Sequence, residues 1–167
     1  MYFAVGIWRS LMSVDSNVTT MSRFFEEVWN QGRFEIVHQV VAKTWIGTGL
    51  GEHGRTIRGP DEYLDFVRRI YGAFSGIKLK VEDAFGSGDK VAVRWSANMM
   101  HTGDNLGVPA TGRPVAVTGI SIVRFEEGKI RESWDSWDQA AMMQQIGAVP
   151  PHPAVILEKP KSNDRLP

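Results

Sequence analysis

The chain contains no cysteine. That excludes a disulfide framework, a thiol nucleophile and any cysteine-ligated metal, and it suits a cytoplasmic protein, the location expected here. An excess of either charge is also lacking, because 19 Lys and Arg balance 19 Asp and Glu. Without a long-range field, neither nucleic acid nor an anionic membrane is an expected partner. No apolar run approaches the roughly 20 residues needed to cross a bilayer. The apolar N-terminus, Met1 to Arg9, has no basic leader region and no small-residue cleavage site, so it does not read as a signal peptide. The four histidines, His38, His53, His101 and His152, are scattered without metal-ligand spacing, so no metal is expected. The glycine-rich stretch Gly47 to Gly54 lacks the Gly-Lys-Ser/Thr ending of a phosphate loop. It is expected instead to form the mouth of a pocket, with Trp45 and His53 at its edge.

What is present is an ordinary globular composition, 43% hydrophobic and 23% charged over 167 residues, with six Trp against three Tyr. One domain is expected over residues 17–147, with a loose extension over 1–16 and a proline-rich tail over 148–167. Val18 to Asn30 carries apolar residues at helical spacing, and Phe34 to Ala42 reads as a second, shorter helix. Gly59-Pro60-Asp61 opens a third, whose apolar face includes Tyr63, Phe66 and Tyr71. From Ile77 the period changes to two. Val91, Val93, Trp95, Ala97, Met99 and His101 share one face of a long strand, and Arg94, Ser96 and Asn98 share the other. A loop from Gly103 to Pro114, a strand from Val115 to Phe125 and a hairpin turn at Gly128-Lys129 lead into the last strand. Helices first and antiparallel strands afterwards make an α+β fold: a curved sheet wrapped around three N-terminal helices, leaving an apolar pocket.

The chemistry is concentrated in Gly128-Lys-Ile-Arg-Glu-Ser-Trp134-Asp135-Ser-Trp137-Asp138, where a strand gives way to a short amphipathic helix. A carboxylate beside large apolar rings is poorly solvated and its pKa rises, which suits a base working near neutral pH. Simple alternation puts Glu132, Trp134, Ser136 and Asp138 on one face, and Arg131, Ser133, Asp135 and Trp137 on the other. If Trp134 lines the pocket, Asp138 faces the same way. Asp138 also precedes a helix and suits an N-cap, so both roles stay open. Asp135 is expected to pair with an arginine, and Arg94 is expected to be buried beside Asp135 or Glu132.

Gly128-Lys-Ile-x-Glu-x-Trp134-x-x-x-Asp138 followed by Met-Met-Gln-Gln-Ile-Gly147 resembles the closing signature of the SnoaL-like polyketide cyclases (ester cyclases) of the nuclear transport factor 2-like superfamily. Phe25-Glu-Glu-Val-Trp-Asn-Gln-Gly32, Gly88-Asp-Lys-Val-Ala-Val-Arg94-Trp95 and His101-Thr-Gly103 with Pro109-Ala-Thr-Gly-Arg113 are similar in order and spacing. The resemblance implies a cone-shaped α+β barrel, a deep apolar pocket, no cofactor, and a homodimer. It implies an enzyme in which a pocket aspartate is the acid/base of an intramolecular aldol closure or isomerisation of an apolar carbonyl compound. Carried over, Asp138 is that aspartate and His101 its neighbour, with Trp45, Tyr63, Phe66, Arg94, Trp95, Met99 and Trp134 around the substrate. Thr44-Trp45-Ile46-Gly47 departs from the Asp/His-bearing segment of many members. Two rival readings are a non-catalytic module that binds a hydrophobic ligand or dimerises, and an epoxide hydrolase resembling limonene epoxide hydrolase. The latter is weakened because Ser96 stands where an Arg-x-Asp pattern requires an acid.

Overall fold

The structure is a computed structural model, and it describes residues 3–51 and 54–150. In chain order it comprises α1 (Phe3–Phe24), a π-helical turn (Phe25–Asn30), α2 (Glu35–Val40), β1 (Val41–Thr48), β2 (Ile57–Arg58) and α3 (Gly59–Ala73). There follow β3 (Phe74–Ser87), β4 (Lys90–His101), β5 (Pro114–Glu126), β6 (Lys129–Trp137) and α4 (Gln139–Gln145). The six strands form one sheet in the order β2-β1-β6-β5-β4-β3. All neighbours are antiparallel except β1 and β6, which run parallel. The expected α+β architecture is what is observed.

The first helix, expected from Val18, starts at Phe3, inside the segment read as a loose extension. His53 and most of the proline-rich tail, including His152, lie outside the described residues. The second helix is shorter than its spacing suggests, because the β-branched run Val40-Val41 turns extended at Val41 and enters β1. Thr44, Trp45 and Ile46 accordingly lie in the middle of that strand.

The inward faces of β4 and β5 follow the alternation: Val91, Val93, Trp95, Ala97, Met99, Val115, Val117, Val123 and Phe125 are all buried. They pack on the apolar faces of α1, the π-helical turn and α3, represented by Phe24, Val28, Trp29, Leu64 and Val67. Burying each such side chain contributes about 1.5–3 kcal/mol before entropy is subtracted. The helical layer is tied to the sheet by Asn30, whose amide donates to Leu79 O (2.9 Å) and accepts from Leu79 N (2.7 Å). That two-way clasp pins the π-helical turn, which carries Phe25 and Trp29, against β3.

One irregularity governs the site. Phe125 pairs with Ile130 but Arg124 pairs with Glu132, so β6 carries one extra residue at Arg131. Such a bulge reverses which face later residues present. Ile130 is buried before it; Ser133, not Glu132 or Trp134, is buried after it.

Candidate active site

Because of the bulge, Ser133, Asp135 and Trp137 face the helices, and Trp134 faces out, 42% exposed. Asp135 lines an inner chamber of about 90 Å³ between sheet and helices, walled by side chains such as Phe24, Trp29, Trp45, Tyr63, Trp95 and Met99. Among the described residues, Asp135 is the sole charged side chain in that wall.

Asp135 sits opposite Ser121 of β5 in the strand register. Ser121 Oγ donates to one carboxylate oxygen (2.5 Å) and Ser133 Oγ to the other (2.9 Å). Trp95 Nε1 in turn donates to Ser121 Oγ (3.1 Å), so the serine proton is directed at the acid. Burial dominates over these two bonds and pushes the Asp135 carboxyl up to about 6. Trp95 can lie flat across β5 because Gly119 is opposite it; a Cβ there would come within 2.4 Å of the indole.

Tyr63 of α3 completes the polar set. Its hydroxyl accepts from Trp29 Nε1 (3.1 Å). Burial first, then the negative charge of Asp135, pushes its pKa far above the ordinary phenol value, so it keeps its proton. Trp137 Nε1 is buried without a hydrogen-bond partner among the described residues. An N–H left so costs about 1–3 kcal/mol, and in a residue that lines the chamber it calls for an explanation.

A wider outer chamber of about 790 Å³ adjoins the first across Leu50, Phe66, Ile70, Trp137 and Met142, which line both. Its rim is mixed in charge, with Arg55 and Arg69 beside Glu62 and Asp65. No three His, Asp or Glu side chains among the described residues are grouped to hold a metal ion. No helix among them is long and apolar enough to cross a membrane.

The residues expected at the site divide. Trp45, Tyr63, Phe66, Trp95 and Met99 line the inner chamber. Asp138 does not: its carboxylate accepts from Ala141 N (2.8 Å) and caps α4. His101 is fully buried but away from the chamber, its ring against Phe74 and its Nδ1 accepting from Thr111 N (3.3 Å), with Thr111 Oγ1 at 3.0 Å. It anchors the β4–β5 loop, as a strand-end histidine with a nearby backbone donor can. Arg94 is not buried at Asp135 or Glu132; it lies exposed on the outer face and pairs with Asp83. Glu132 pairs with Arg124 instead (2.7 Å). Trp134 lies outside, with Lys90 Nζ 5.7 Å from its ring. These corrections share one origin for β6, the bulge, since unbroken alternation carried Trp134 and Asp138 inward with Ile130.

Asp135, Ser121, Ser133 and Trp137 were not expected at the site. A signal for them exists in β5, where Ser121 interrupts the inward row Val115, Val117, Val123, Phe125. A serine in such a row needs buried partners, and Trp95 of β4 and Asp135 of β6 supply them.

The family profile described as SnoaL-like polyketide cyclase matches residues 19–146. The chain is 29% identical over 128 residues to aklanonic acid methyl ester cyclase DauD of Streptomyces sp. (strain C5), covering 76% of this chain and 80% of that protein. Among solved structures, a protein of Jannaschia sp. CCS1, described provisionally as a SnoaL-like polyketide cyclase, superposes with a TM-score of 0.74 at 24% identity. That match covers 82% of this chain and 95% of the other. A nuclear transport factor 2-like protein of unknown function from Burkholderia pseudomallei K96243 matches with a TM-score of 0.66 at 21% identity, covering 79% and 98%. These two likenesses speak to the fold.

Proposed function

The chain belongs to the SnoaL-like polyketide cyclase family, and from that premise we propose that it is a cofactor-independent cyclase or isomerase with Asp135 as its acid/base. The observation that carries this reading is a single carboxylate, raised to about 6, in an otherwise apolar chamber. At neutral pH it is ionised yet poorly solvated, which makes it a competent proton acceptor. Asp135 takes a proton from the carbon next to a substrate carbonyl. The C–H electron pair forms the enolate C=C, and the carbonyl π pair moves to oxygen. In a ring closure the enolate carbon then attacks a second carbonyl carbon of the same molecule, and the new alkoxide takes the proton back from Asp135. Atoms balance, and nothing is consumed. Ser121 and Ser133 hold the carboxylate in one orientation throughout. Tyr63 stays neutral beside it and keeps its proton.

The named relative DauD is a cyclase of aklanonic acid methyl ester; by analogy, the substrate here is an ester-bearing carbonyl compound of mainly apolar surface. The epoxide-hydrolase reading is not supported, because Arg94 faces away from the chamber. The binding-module reading gains some support from Asp138, which it expects to cap α4. One experiment separates it from catalysis. Deuterium exchange at the α-carbon of 2-tetralone, a bicyclic ketone, is followed by NMR in heavy water. The wild-type chain is expected to accelerate exchange with an ionisation near pH 6, rising toward higher pH, and Asp135→Asn to lose at least 100-fold. Exchange no faster than buffer with the wild-type chain ends the enzymatic reading for this class of carbonyl.

A homodimer is also proposed. Phe85, Ala92, Ile122 and Trp134 stand side by side across β3, β4, β5 and β6 on the outer face of the sheet. Phe85, Ile122 and Trp134 are all substantially exposed.

A further inference from the structure

We propose that the Trp137 indole N–H is the anchor for the substrate's carbonyl oxygen, and that the substrate enters with its acidic C–H end foremost. The inference rests on the reading of Asp135 as the base and deepens it. Four indoles, Trp29, Trp45, Trp95 and Trp137, line the inner chamber, and Trp137 is the one among them whose N–H is buried with no partner among the described residues. Trp29 donates to Tyr63 and Trp95 to Ser121. A carbonyl oxygen turning into an enolate is the acceptor such a buried donor fits, since the hydrogen bond strengthens as charge develops there.

Position supports the assignment. Trp137 is two residues beyond Asp135 on the same face of β6, roughly 7 Å along the strand. Asp135 lines only the inner chamber, while Trp137 lines both chambers. A carbonyl at Trp137 therefore sits at the junction, with its α-carbon toward Asp135. The inner chamber, at about 90 Å³, is far smaller than the usual ligand pocket, so the bulk of the molecule occupies the outer chamber of about 790 Å³. Trp137 donates a hydrogen bond and not a proton; the proton stays with Asp135 until it returns to the product.

The test uses 2-naphthol, which has the shape of the 2-tetralone enol, and exchange into 2-tetralone itself. Trp137→Phe keeps a large ring and removes the N–H. It is expected to weaken 2-naphthol about tenfold by fluorescence titration. It should lower kcat for exchange by about 10–100-fold with KM little changed and the ionisation near 6 retained. Asp135→Asn should abolish exchange while still binding 2-naphthol. If Trp137→Phe matches the wild type within about twofold in both binding and kcat, the anchor is overturned; failure of the wild-type chain to bind 2-naphthol overturns it too. If instead Asp135→Asn keeps exchange while Trp137→Phe loses it, the base is misassigned and the anchor stands. A measurement that needs no variant is the ¹H–¹⁵N signal of the Trp137 indole, assigned through bonds. It should move downfield on addition of 2-naphthol, and an unmoved signal counts against the anchor.

Discussion

A carboxyl titrating near 6 instead of 3.8 carries about 3 kcal/mol of unfavourable ionisation free energy, taken as an upper figure. Between those two pH values folded Asp135 holds a proton that the unfolded chain has already lost. Stability from this group is therefore present at low pH and falls as pH rises toward 6, and it is flat beyond. Asp135→Asn removes the charge that is penalised. Its stability relative to the wild type should be more favourable at pH 8 than at pH 4, by up to about 3 kcal/mol in urea unfolding. A gap independent of pH would mean that Asp135 ionises as freely in the fold as in water. On the proposed reading, the variant that gains this stability is the one expected to lose catalysis.

At the scale of elements, the neighbouring acids part company through the geometry of one strand end. Asp135 is the last inward acid of β6, while Asp138 lies past the strand and accepts from Ala141 N to start α4. Asp138→Ala should cost about 1 kcal/mol of stability and change kcat/KM for 2-tetralone exchange by less than about threefold. A loss comparable to that of Asp135→Asn would restore Asp138 to the chemistry. Most of the elements were legible because periodicity is a local property: β4 and β5 bury the residues their alternation names. The candidate site was legible only in its apolar wall, since Trp45, Tyr63, Phe66, Trp95 and Met99 line the inner chamber. Its polar half was not, because a bulge is set by pairing with the next strand. Nothing in Ile130-Arg131-Glu132 itself announces that one of the three goes unpaired opposite Arg124 and Phe125. One extra residue exchanged Trp134 and Asp138 for Asp135 and Trp137. His101 lies on the inward face that alternation assigns to it, but the chamber ends before the strand does, at Met99.

At the scale of the whole molecule, the two faces of the sheet differ in character. The inner face carries the chambers; the outer face carries the apolar row from Phe85 through Ala92 and Ile122 to Trp134, with Ile120 beside it at 50% exposure. A contiguous exposed apolar row of this kind marks a candidate association surface. Charges of both signs flank the row, Arg94 with Asp83 and Arg124 with Glu132. A second copy turned about a two-fold axis therefore meets opposite charges as readily as like ones, which suits an isologous dimer. Sedimentation equilibrium should then give twice the 18.7 kDa of one chain. Ile122→Lys with Trp134→Glu places two desolvated charges in that surface on each copy, and should convert the dimer to monomer. Because the chambers lie on the other side of the sheet, the monomeric variant should still bind 2-naphthol with an affinity within about threefold of the wild type. A wild-type chain that sediments as a monomer at tens of micromolar would remove the dimer. A dimer untouched by both substitutions would move its interface to another face.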